Sequence, residues 1–180
     1  MRGLMRLFVF WSIPVFVGCS SISVSSDYNE STDFTALKTF SWLLKTPEGA
    51  IDLGGGNPLA RQRIQDAVAA ELANKGFMEI IDGKSDFYVT YFVGTQERIQ
   101  VQPMQGPLMR PYRMGMGYAE VYQYEEGTLI LDLLDSKKQH VIWRGVAKGE
   151  VDWQRSHEEK TELIDEAVHK VLATFPPKRS

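Results

Sequence analysis

Hydrophobic positions along the chain switch between a period of two and a period near 3.6, and the switches mark the elements. Over 20–26, Ile22 and Val24 alternate with Ser21, Ser23 and Ser25, which predicts a strand. A second strand is predicted over 39–44. From residue 57 the period lengthens: Ile64, Ala67, Val68 and Leu72 fall at helical spacing. Asn57 suits the N-cap of this helix, Pro58 its first turn and Gly76 its end. Alternation returns over 86–99, where Phe87, Val89, Tyr91 and Val93 share a face, and again over 117–124. A hairpin follows, with strands over 128–135 and 140–149 joined by the polar turn Ser136-Lys137-Lys138-Gln139. The last element is a helix opened by a capping box, Ser156 with Glu159. Its apolar stripe is Ile164, Ala167, Val168, Val171 and Phe175, and Pro176-Pro177 stop it.

Strands outnumber helices and are mostly joined by short turns. This predicts an α+β class: an antiparallel or mixed sheet of about five to six strands with two helices packed on one face. Two stretches read as connections, the turn-rich 46–56 with its run Gly54-Gly55-Gly56 and the extended linker 100–117.

The first eighteen residues follow neither period. Arg2 and Arg6 precede an apolar stretch from Leu7 to Val17, the length of a signal-peptide core and too short to span a bilayer, which takes about 20 residues. The stretch ends Phe16-Val17-Gly18-Cys19 and resembles the bacterial lipobox, with Phe16 where Leu is usual. Cys19 is the only cysteine in the chain. The resemblance implies a signal peptide over 1–18, a single domain over 19–180, and a covalent lipid on Cys19. More than one acyl chain makes such an anchor stable. Ser20 after the cysteine, rather than Asp, implies an outer-membrane anchor facing the periplasm.

Composition changes the picture mainly by exclusion. At 180 residues and 43% hydrophobic, the chain can bury a core of ordinary size, so it is neither a disordered tail nor a coiled coil. Its net charge is −3, and losing residues 1–18 removes two arginines and no acid, so no basic field recruits nucleic acid. One cysteine permits no internal disulfide and no cysteine-cluster metal site.

Several segments, taken in order, resemble an uncharacterised family of bacterial envelope lipoproteins known as domain of unknown function 4136. They are Val24-Ser25-Ser26-Asp27-Tyr28, Asp33-Phe34, Leu37-Lys38-Thr39-Phe40-Ser41-Trp42, Asn57-Pro58-Leu59, Arg63-Ile64 and Lys75-Gly76-Phe77. Asp86 with Val89 and Tyr91 also fits, and the strongest matches are Glu126-Gly127-Thr128-Leu129-Ile130-Leu131-Asp132 and Val141-Ile142-Trp143-Arg144-Gly145. The resemblance implies an envelope location and a fold, and no catalytic residue.

Enzymatic signatures are absent. A lipidated Cys19 leaves no thiol nucleophile, and there is no Gly-x-Ser-x-Gly elbow. Gly83-Lys84-Ser85 lacks the upstream glycine of a phosphate loop, because Met78 stands in its place. The Gly54-Gly55-Gly56 run before a helix start reads as a flexible loop in preference to an anion site. His140, His157 and His169 do not space as zinc ligands and read as surface residues, so no metal and no cofactor beyond the lipid is expected. Asp132 interrupts an apolar strand, with Arg144 on the next one. A cross-strand pair is the simpler reading and a catalytic carboxylate the alternative.

The candidate partner-binding residues are Met104, Met109, Arg110, Tyr112, Arg113, Met114 and Met116 of the linker, with Tyr118 and Tyr122 beyond it. A mobile loop is the plain reading. Methionine adapts to partners while Arg and Tyr make anchors, which favours a protein contact; thioethers alone would favour Cu(I). Tyr118, Tyr122 and Tyr124 share one strand face with Glu120. Packing in the core or under a helix is the simpler expectation for them, and stacking on sugars such as peptidoglycan the sharper one. The function expected is a non-enzymatic binding or scaffolding module, anchored to the membrane and facing an envelope protein or peptidoglycan. The rival expectations are a small-ligand or soft-metal binder working through 100–117 and an envelope enzyme with an unrecognised carboxylate site.

Overall fold

The computed structural model describes residues 22–43, 57–103, 119–137, 140–152 and 154–178. Within them six strands form one sheet: β1 (Ser23–Tyr28), β2 (Thr39–Trp42), β3 (Met78–Glu79), β4 (Phe87–Pro103), β5 (Ala119–Asp135) and β6 (Val141–Val151). The spatial order is β1-β6-β5-β4-β2-β3. β2 runs parallel to both of its neighbours, β3 and β4, and the other pairs are antiparallel. The helices α1 (Pro58–Asn74) and α2 (His157–Leu172) pack on one face, so the chain adopts the expected α+β class with a mixed sheet.

The local chemistry that starts each helix is the chemistry anticipated. Asn57 accepts from the Leu59 and Ala60 amides with Pro58 in the first turn, and Ser156 and Glu159 close a reciprocal capping box. Gly76, at φ +87°, turns the chain out of α1 in a conformation that side chains resist. The two helices run in the same direction, because Arg63 bonds His157 near their starts and Glu71 bonds His169 (2.8 Å) near their ends.

The helix-facing side of the sheet carries Phe40, Phe87, Val89, Leu129, Leu131, Leu133, Trp143 and Ala147, all buried. Their partners from the helices are Ile64, Ala67, Val68, Leu72, Val168, Val171 and Leu172. One end of this core is aromatic: Phe175 meets Phe34, Phe77, Phe87 and Trp143 with ring centroids 5.3–6.1 Å apart. At the same end Asp86 joins β4 to the chain entering β2. Its Oδ2 accepts from the Lys38 amide, the Thr39 amide and the Thr39 hydroxyl, each at 2.9 Å. The Lys38 amide bond, more than the others, holds the Asp86 carboxyl below the usual carboxylate range.

Three expectations need correction. The strands expected over 117–124 and 128–135 are one strand, β5, and residues 100–103 of the expected linker extend β4. The two pair without interruption from Phe87 opposite Asp135 to Pro103 opposite Ala119. Gly127, between the two strands expected, sits mid-strand opposite Gly149, where a Cβ would overlap the Val151 side chain. The last helix stops at Leu172 and does not reach Phe175, whose amide bonds the Leu172 carbonyl in the turn that follows. Val24 is 40% exposed although it shares a face with buried Ile22, because β1 is an edge strand. Ser85, in the rejected phosphate-loop segment, is buried and bonds the Ser41 hydroxyl and the Phe87 carbonyl.

Candidate functional site

The sheet face opposite the helices is the open one. Tyr88, Phe92, Ile130, Leu134 and Val146 are half-buried there, and no helix among the described residues covers them. At its centre Asp132 lies opposite Arg144 in register. Arg144 donates Nε to Oδ1 and Nη2 to Oδ2, both at 2.6 Å. The Asp132 side chain is 4% exposed and the Arg144 side chain 50%, so a solvated guanidinium lies over an almost sealed carboxylate. This bond raises the guanidinium pKa further. Both carboxylate oxygens are occupied by one bidentate partner, so the expected structural pairing is what the fold builds here.

Farther along the same face, the β4–β5 hairpin leaves the helices behind. α1 has 17 residues and rises roughly 25 Å, whereas β4, also 17 residues, extends roughly 55 Å. Tyr122 and Tyr124 lie on the overhanging part with their rings stacked, 5.8 Å between centroids and 22° between planes. The expectation that a helix covers these tyrosines therefore fails: Tyr122 is 49% exposed, on the face turned away from both helices. Alternation reports that residues share a face but not which face is covered.

Charged groups surround the pair. Tyr122 donates its hydroxyl to Glu150 Oε1 at 2.6 Å, and this bond, with the nearby negative charge, raises the phenol pKa. Arg98 donates Nε and Nη2 to Glu126 Oε1 at 3.2 and 3.0 Å. The result is an aromatic platform with carboxylates and a guanidinium beside it.

Cys19, Met104, Met109, Arg110, Tyr112, Arg113, Met114, Met116 and Tyr118 lie outside the described residues, as does Gly54-Gly55-Gly56. Of the histidines, His157 and His169 are engaged with Arg63 and Glu71 on the exposed helix surface. Among the described residues no three His, Cys, Asp or Glu side chains converge on a metal-sized point. No helix among them is long and apolar enough to cross a membrane.

Sequence reasoning missed one feature. A cleft of about 150 Å³ opens between the first turns of both helices and the sheet. Its walls come from five separate elements, and no local pattern brings them together.

The family described as Domain of unknown function (DUF4136) matches residues 24–177. The chain belongs to DUF4136. The match runs from β1 through both helices to the turn beyond Phe175, so the family unit is the whole fold described above. A DUF4136 family protein from Bacteroides thetaiotaomicron has the same fold, with a TM-score of 0.54 at 17% identity over 87% of this chain and 97% of that one. The PelC dodecamer from Paraburkholderia phytofirmans is similar at a TM-score of 0.52 and 14% identity, over 88% of this chain and 99% of that one. A PDZ domain protein from Parabacteroides distasonis gives a TM-score of 0.55 at 16% identity, covering 89% of this chain. The DUF4136 chain spans 37% of that longer protein. No curated protein is similar in sequence.

Proposed function

We propose that this DUF4136 chain is a lipid-anchored binding or scaffolding module of the outer membrane, facing the periplasm and catalysing no reaction. The Tyr122–Tyr124 stack, with Tyr122 exposed, carries the reading. An aromatic pair on an overhanging hairpin, with Glu150, Glu126 and Arg98 beside it, has the composition of a recognition surface. It has no use as core, because it faces away from the helices. The linker residues Met104, Met109, Arg110, Tyr112, Arg113, Met114 and Met116, with Tyr118, stand between β4 and β5 in sequence and are proposed as part of the same recognition site. The lipobox-like end of the N-terminal segment, with Cys19 as the only cysteine, supports the anchor. A tethered module meets its partner at high effective concentration, so weak contacts suffice. The scaffolding half draws on PelC, in which a similar fold forms a dodecamer.

A photoreactive residue at Tyr122 tests this in the native envelope, with Gln62 on exposed α1 as comparison. The expected result is one dominant adduct, envelope protein or glycan, from position 122 and none of it from position 62. The same adduct spectrum at both positions would remove the hairpin from the binding surface.

A further inference from the structure

We propose that the cleft between the helix pair and the sheet binds a monoacyl anion, its alkyl chain inside and its carboxylate at the mouth. The depth of the cleft is apolar, lined by Ile22, Val93, Leu129, Val151, Ile164 and Ala167. The facing glycines of β5 and β6 make these walls possible. A Cβ on Gly127 would overlap Val151, and one on Gly149 would press on Ile22 at 3.1 Å. The backbone polar groups there are committed to the β5–β6 ladder, so the depth presents little to hydrogen-bond a polar ligand.

Size and charge specify the occupant. A volume of about 150 Å³ takes a group of roughly six carbons. That is below the range of a pocket that swallows a whole drug-sized ligand. A short alkyl chain fits with its head left outside. The mouth is cationic: Arg63 from α1 and Lys160 from α2 stand on its rim. Both helices begin here and run in the same direction, so both positive dipole ends lie near the mouth. Arg63 uses one contact on His157 and keeps further N–H donors for a carboxylate. The acid on the rim is Asp152, which accepts the Gln154 amide at 2.8 Å. Glu159, in the first turn of α2, is held in the capping box. An anionic head is therefore favoured over a neutral or cationic one.

This proposal stands apart from the hairpin reading and is tested separately. Photoactivatable octanoate, with octanol as the neutral comparison, is applied to outer-membrane preparations carrying the full chain, and adducts are mapped by mass spectrometry. Octanoate is expected to label cleft peptides of β4, β5 and α2. Ala60→Trp, which fills the mouth from α1, is expected to abolish that labelling without lowering Tm. The double variant Arg63→Glu/Lys160→Glu is expected to weaken octanoate labelling by about tenfold and to leave octanol labelling unchanged. Labelling of Ala60→Trp equal to the unaltered chain, or adducts spread over the open sheet face, would overturn the site. Equal loss of both probes in the charge-reversed variant would overturn the anionic head. Labelling of the Cys19→Ala chain in whole-cell lysate, but not of the unaltered chain in the same lysate, would also overturn the proposal, assigning the cleft to the chain's own lipid.

Discussion

Phe175→Ala is expected to lower unfolding free energy by about 3–5 kcal/mol, the largest effect of any single truncation considered. The ring is 1% exposed and touches four other aromatic rings, Phe34, Phe77, Phe87 and Trp143. Those four come from the turn before β2, the approach to β3, the start of β4 and the start of β6. Truncation would remove buried area and leave a void bounded by rigid rings that cannot close in on it. For a chain of this size the loss corresponds to roughly 10 °C in Tm. Phe175→Leu keeps most of the volume and is expected to lose about 1–2 kcal/mol. Urea unfolding of both variants checks this. A Phe175→Ala midpoint equal to that of the unaltered chain would mean that the residues after α2 are not part of the core.

Arg144→Leu comes second. The substitution keeps an apolar cover over Asp132 but removes the only side chain hydrogen-bonded to its carboxylate oxygens among the described residues. Breaking a fully buried pair costs about 3–5 kcal/mol. Half of the Arg144 side chain is already in water, and water reaches the site more easily, so about 2–3 kcal/mol is expected here. The reverse deletion, Asp132→Ala, leaves an arginine that solvates itself and is expected to cost about 1 kcal/mol. The asymmetry follows from the 4% and 50% exposures of the two side chains. The double variant gives the coupling between them. Equal losses from the two single variants would contradict the arrangement of a sealed carboxylate under an exposed guanidinium.

The Asp132–Arg144 pair was legible in the sequence because an acid in the middle of an apolar strand needs a partner, and the next strand supplies Arg144 at the right distance. Both helix starts were legible for a similar reason: Asn57-Pro58 and Ser156 with Glu159 are short-range chemistry, complete within four residues. The continuity of β5 was not legible. Gly127 and the acids before it carry the marks of a turn, and only the opposing Gly149 and the Val151 side chain show why a glycine sits inside a strand. The exposure of Tyr122 was hidden for another reason. Strand parity groups residues by face, whereas cover depends on which face the helices pack against, and Tyr122 lies on the other one. The cleft depends on the joint placement of five elements and left no trace in any one of them. Across these cases, what two neighbouring turns or strands decide could be read from sequence, and what the third dimension decides could not.

The proposed function depends on the chain being held at the membrane, so that the hairpin platform meets its partner at high local concentration. The most direct measurement is the mass of the N-terminal peptide of the chain recovered from purified outer membranes. The peptide expected begins at Cys19 and carries a thioether-linked diglyceride and an amide-linked acyl chain. An N-terminus at any other residue, or an unmodified Cys19 on a chain recovered from the soluble periplasm, would contradict it.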